Sequence, residues 1–139
     1  TNIGIVSLSE DEFFASSGVR SSVEAARNAL SDKIQYLTEF LGGEYEIQGA
    51  YPAWEYRKES PLRDKMVEVY ETMYGQKPEV VAIHAGLEWG LFYKKIDGLD
   101  CVSLGPDMKD IHTSEEVLDI ASTERVWKYL VKVLEELKD

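Results

Sequence analysis

Residues 60–92 read SPLRDKMVEVYETMYGQKPEVVAIHAGLEWGLF, and the reading of this stretch decides the fold class. Ser60 followed by Pro61 is a helix start. The serine supplies a side-chain acceptor at the N-cap, and the proline has its φ already set for the first turn. Leu62, Met66, Val69, Tyr70 and Met73 recur at spacings of three and four, so a helix buries them on one face. Gly75 ends it, because glycine tolerates the left-handed conformation beyond a helix C-terminus. Val80 to Ile83 is a short, β-branched apolar run suited to a strand buried on both faces. His84-Ala85-Gly86-Leu87-Glu88 turns at once into a second helix, about 88–95. A helix, a strand and a helix in that order are the pattern of an α/β sheet covered by helices.

The same pattern continues downstream. Asp100 to Leu104 reads as another short buried strand, and Gly105 to Thr113 as a loop. Thr113 and Glu116 have the spacing of a capping box, which predicts a helical turn. A last helix, about 122–137, is expected to bury Val126, Leu130, Val133, Leu134 and Leu137.

The upstream half reads differently. Ile3 to Leu8 is a strand, Ser9-Glu10-Asp11 a turn, and Glu12 to Arg20 the returning strand of a hairpin. Ser21 and Glu24 form another capping box, opening a helix from about 22 to 41. Val23, Ala26, Leu30, Ile34, Leu37 and Leu41 share its apolar face, and Gly42-Gly43 stops it. Glu44 to Tyr56 alternates through Tyr45, Ile47, Gly49 and Tyr51, which predicts a third strand.

The expected fold is therefore mixed α/β. A β-β-α-β unit occupies 1–59, and the end of an α/β domain occupies 60–139. Neither half contains a complete sheet. With the start at Thr1, that points to a fragment, ordinary N-terminal processing being the alternative.

Composition narrows the function. The 139 residues are 44% apolar and 29% charged, ordinary values for a chain with a packed core. The net charge of −11 repels phosphates, which argues against nucleic acid and anionic membrane surfaces as partners. No apolar run reaches the roughly 18–20 residues of a membrane span. A single cysteine, Cys101, cannot form an internal disulfide and points to a reducing, cytoplasmic setting.

Few residues present themselves for chemistry. The two histidines, His84 and His112, each follow a strand-like segment, where ligands gather in open α/β sheets. The plainer reading of each is a hydrogen-bonded loop residue. His112 lies among Asp110, Glu115 and Glu116, which makes a metal-binding imidazole conceivable, yet one imidazole cannot build a zinc site. Gly86 lies between a strand end and a helix start, where a backbone can approach an anion closely. Arg20 can pair bidentately with a carboxylate, although a solvated strand-end charge is commoner. No serine or cysteine triad, phosphate-binding loop or zinc ribbon is visible.

Beside this reading stands a family resemblance. His84-Ala-Gly-Leu-Glu-Trp-Gly-Leu-Phe92 resembles the HAGLExGLF motif of aminoacyl-histidine dipeptidases, the carnosinase-like metallopeptidases that cleave Xaa-His dipeptides. Val102-Ser-Leu-Gly-Pro106 resembles the family's VSIGP strand end, and His112-Thr-Ser-Glu-Glu-Val117 its PHSPDE loop. Ile120-Ala-Ser122 and the terminal helix fit as well. Leu8-Ser-Glu10 and Val19-Arg-Ser-Ser22 resemble the family's lid. The resemblance covers nearly all of the chain.

It implies the second half of a ferredoxin-like lid or dimerisation domain (1–59), followed by the C-terminal part of a zinc-peptidase-like catalytic domain (60–139). It also implies two divalent metal ions, zinc by preference, and a metal-held water that attacks the peptide carbonyl with a glutamate as general base. His112 corresponds to the last metal-ligand histidine. Arg20 and the Gly86 backbone correspond to the groups holding the substrate's C-terminal carboxylate. No role follows for His84 or Glu88.

There are departures. The family's H-x-D motif and Glu-Glu pair, which carry the other ligands and the general base, are not visible, so no catalytic residue is assigned here. Ile111 stands for the family's proline, and Trp89 for its more usual cysteine. The chain by itself is expected to be inactive, with or without bound metal, and to self-associate through unpaired sheet edges. The implied partner is a small dipeptide, within a homo-oligomeric cytoplasmic enzyme. The alternatives are a non-catalytic homologue serving as a binding or oligomerisation module, and an unrelated α/β domain with chance matches.

Overall fold

A computed structural model of the chain describes residues 1–82 and 88–138. They form two compact units, 1–57 with 81–99, and 58–80 with 100–139. The fold mixes helices with small antiparallel sheets.

The first unit opens with β1 (Asn2–Leu8) and β2 (Phe13–Gly18), an antiparallel hairpin. The Ser9 hydroxyl accepts from the Glu12 N–H at 3.0 Å, and the Ser9 N–H donates to the Glu12 carbonyl at 2.8 Å, closing the turn. An irregularity between Ile3 and Ile5 shifts the register, which breaks strict alternation. The next helix, α1, runs Glu24–Phe40. It begins later than the predicted capping box requires. Its N-cap is Val23, with no side-chain cap bond. The Ser21 hydroxyl accepts from the Val23 N–H instead, while the Glu24 N–H donates to the Glu55 carboxylate at 3.1 Å. A distant glutamate thus supplies the acceptor that the local serine was expected to supply.

The predicted third strand over 44–56 does not form. Gly49 adopts φ 62°, which breaks the extended run, and β1 and β2 pair only with each other among the described residues. Side chains fasten the segment to α1. Tyr45 Oη and Ser31 Oγ are 2.7 Å apart, and the Arg27 guanidinium donates to the Tyr51 carbonyl. The short helix α3 (Glu88–Lys95) also belongs to this unit.

The second unit carries the described apolar core. Helix α2 (Pro61–Tyr74) starts at Ser60, whose hydroxyl accepts from the Arg63 N–H, and ends at Gly75 with φ 70°, both as the sequence predicts. Asp100 holds the same end. One of its carboxylate oxygens takes the Ser60 hydroxyl at 2.6 Å, and the other takes the Leu62 N–H at 3.0 Å. Negative charge at a helix N-terminus complements the helix dipole. Met66 and Val69 bury against Tyr129 and Val133 of helix α4 (Ile120–Glu136), with Leu62, Tyr70, Met73, Tyr74 and Val102 packed around them.

Two expectations fail here. The strands expected at 80–83 and 100–104 are not strands at their described residues, because among the described residues no neighbouring strand offers a ladder. Helix α4 starts at Ile120, capped by Asp119. Val133 is buried, Val126 and Leu130 are half-buried, and Leu134 and Leu137 remain exposed.

Candidate functional site

The predicted loop and helical turn at 105–118 form a tight hairpin instead. Strands β3 (Met108–Lys109) and β4 (Val117–Leu118) pair Met108 with Leu118 and Lys109 with Val117. The base of the hairpin is fixed to the start of α4. The Asp119 N–H donates to the Asp107 carbonyl at 2.9 Å, and the Asp107 N–H donates to Ser122 Oγ at 2.8 Å. Ser122 is only 2% exposed. Arg125 pairs with the Asp107 carboxylate at 3.2 Å.

His112 sits at the tip of this hairpin, exposed. Its φ is 69°, and that of Asp110 is 52°. Left-handed backbone costs a non-glycine residue of order 1 kcal/mol, so surrounding bonds must hold it. They are present. The Thr113 N–H and hydroxyl both donate to the Asp110 carbonyl, at 3.1 and 2.7 Å. The Glu115 N–H donates to the Thr113 hydroxyl at 3.1 Å. The His112 N–H donates to Glu116 Oε2 at 2.8 Å. The predicted Thr113–Glu116 capping box is thereby corrected: Glu116 reaches back to His112 rather than to Thr113, and no helix follows.

Arg20 lies in the first unit and His112 in the second. Arg20 is exposed and borders an open concavity of about 390 Å³ lined also by Thr1, Asn2 and Gly18. Thr1 bonds across it to the Gly18 carbonyl at 3.0 Å. Gly86 and His84 lie outside the described residues, as does the Glu88 side chain.

The imidazole of His112, displayed on a fixed turn, suits one position in a metal shell. No group of three or more His, Cys, Asp or Glu residues is placed to share a metal ion among the described residues. Among the described residues no helix is long and apolar enough to cross a membrane.

Sequence reading missed two supports. The first is the anchor formed by Asp107, Asp119 and Ser122. The Asp119-Ile-Ala-Ser122 spacing signals it, since an aspartate three residues before a serine can cap a helix start. The second is Gly90, in the His84–Phe92 motif. A β-carbon there would lie 2.5 Å from the Pro52 carbonyl oxygen. The motif's second glycine thus lets α3 press on the backbone of 52–53.

No protein-family model matches the chain. It is 30% identical over 136 residues to the cytosol non-specific dipeptidase of Escherichia coli strain K12, a match covering 98% of this chain and 28% of that protein. Its fold matches the crystal structure of the aminoacylhistidine dipeptidase from Vibrio alginolyticus with a TM-score of 0.78 and 31% identity. That match covers 99% of this chain and 28% of the other. The chain thus spans a little over a quarter of the length of either relative. Both matches extend over almost the whole chain, and the chain is homologous to a segment of these two dipeptidases.

Proposed function

We propose that the chain serves as part of a metal-dependent dipeptidase acting on Xaa-His dipeptides. The carrying observation is the match to two dipeptidases, in sequence and in fold, over 98% and 99% of the chain. In this reading 1–59 belongs to the lid and 60–139 to the catalytic domain. His112 supplies one metal ligand, and its exposed position on a braced turn supports that role. Arg20 and the Gly86 backbone take the substrate's terminal carboxylate. The exposure of Arg20 supports this, and its guanidinium forms no hydrogen bond or ion pair among the described residues. A metal pair, zinc by preference, would supply an activated water when bound. The chain by itself is inactive, since its sequence lacks the family's H-x-D motif and, with it, the further ligands and general base. The working enzyme is a cytoplasmic homo-oligomer.

The test replaces the homologous segment of the E. coli dipeptidase with residues 1–139. The chimera should bind zinc and hydrolyse β-Ala-His. His112→Ala should release metal and abolish turnover, while Arg20→Ala should raise KM more than it lowers kcat. A chimera indifferent to His112→Ala in both metal and rate overturns the site assignment. Equal kcat/KM for β-Ala-His and for dipeptides without histidine overturns the Xaa-His preference.

A further inference from the structure

His112, like Asp110 in the same turn, is left-handed, and its own N–H has one acceptor among the described residues, the Glu116 carboxylate at 2.8 Å. The Thr113 N–H and hydroxyl bonds to the Asp110 carbonyl close the turn around Ile111 and His112, and the β3–β4 pairing closes its base. None of these bonds takes up the His112 N–H itself. Its conformation decides where the Cα–Cβ bond, and so the imidazole, projects. We propose that Glu116 is a positioning residue: its carboxylate, by accepting the His112 N–H, holds that backbone left-handed and so aims the imidazole before any metal arrives. The proposal rests on the dipeptidase reading for what the imidazole is aimed at, but not for the lock itself. It also gives a physical reason for the four-residue spacing of histidine and glutamate in the His112–Val117 block. A shorter side chain at 116 would not span the turn, and an apolar one would offer no acceptor.

The lock is read first in the 139-residue chain by amide NMR. The His112 amide proton should lie downfield and move upfield in Glu116→Ala. In Glu116→Gln, which keeps an acceptor oxygen but no charge, it should stay near the wild-type position. An amide unmoved by Glu116→Ala overturns the lock. Aim is read in the chimera by zinc competition with a chromophoric chelator. Supporting groups behind a ligand are typically worth about 10- to 100-fold in metal affinity. Glu116→Ala should show a loss of that order, and Glu116→Gln should recover most of it. If Glu116→Gln falls as far as Glu116→Ala, the carboxylate acts by charge alone and positioning is refuted. An amide that moves without any change in zinc affinity refutes it too. If His112→Ala itself leaves zinc in place, the dipeptidase assignment of His112 fails, and with it the aim; the amide result would still decide the lock.

Discussion

The two units answer the same kind of sequence pattern in opposite ways. In the second, an amphipathic helix meets another: Met66 and Val69 of α2 bury against Tyr129 and Val133 of α4. In the first, α1 has an equally regular apolar stripe and buries no residue, and every residue of β1 and β2 is exposed. Leu30 and Ile34 are half-covered, whereas Leu37 and Leu41 are 57% and 74% exposed. Periodicity states which face of a helix gains by leaving water. It does not state whether a partner is present. The contrast also runs along α4, where Val133 is 2% exposed and Trp127 is 65% exposed.

Substitutions should separate the two units, the largest effect first. Met66→Ala empties part of the buried cluster and should cost about 2–5 kcal/mol. Leu37→Ala on α1 should cost less than about 0.5 kcal/mol, as exposed substitutions do. Urea denaturation followed by circular dichroism compares them, and equal losses would break the contrast.

Tyr129 sharpens it. Its hydroxyl donates to the Met66 carbonyl at 2.7 Å inside the core, and Tyr129→Phe should cost about 0.5–1.5 kcal/mol by removing that bond, the carbonyl keeping its place in the α2 helix ladder. Burial, and then the neighbouring Tyr70 and Tyr74, raise the Tyr129 pKa above the ordinary value of 10.0. The neutral phenol is therefore favoured in the folded state. Its contribution is whole below about pH 10 and is lost as the pH rises through the higher folded value. Denaturation midpoints taken upward from pH 9 should fall in the wild type and fall less steeply in Tyr129→Phe.

The first unit has its own tight place, made of backbone rather than side chains. Gly90→Ala sets a methyl against the Pro52 carbonyl and should cost about 1–3 kcal/mol, the usual range for overpacking. A neutral Gly90→Ala in thermal melts would show that 52–53 can move aside.

The smallest difference lies at the helix starts. Ser60→Ala removes an N-cap that is also bonded to Asp100, and should cost about 1 kcal/mol. Ser21→Ala should cost only a few tenths, since Val23 caps α1 without a side-chain bond. The same melts compare the pair, and a larger loss at Ser21 would restore the capping box there.

Much of the fold was legible because its signals are local. The hairpin turn at Ser9–Glu12, the Ser60-Pro61 start and the Gly75 stop depend on residues within one turn of each other. The proposed site rests on the resemblance of two short blocks, because a lone histidine carries no chemistry that spacing can reveal. The misses share a different cause. The strands expected at 44–56 and 100–104 needed neighbours, and alternation in one segment cannot supply them. Both capping boxes had the right spacing, but the acceptors went elsewhere: Glu55 took the Glu24 N–H, and Glu116 took that of His112.

By itself the sequence determined the acidic balance, the helix boundaries set by proline, glycine and serine, and the two motif blocks that tie the chain to dipeptidases. Each is a property of neighbouring residues or of their sum. Tertiary structure alone decided which apolar faces are covered, that α3 needs Gly90 where the Pro52 carbonyl approaches, and that His112 stands left-handed over Glu116. Burial and hydrogen bonding are completed by partners, and a partner's arrival depends on how the chain folds back on itself rather than on any one segment.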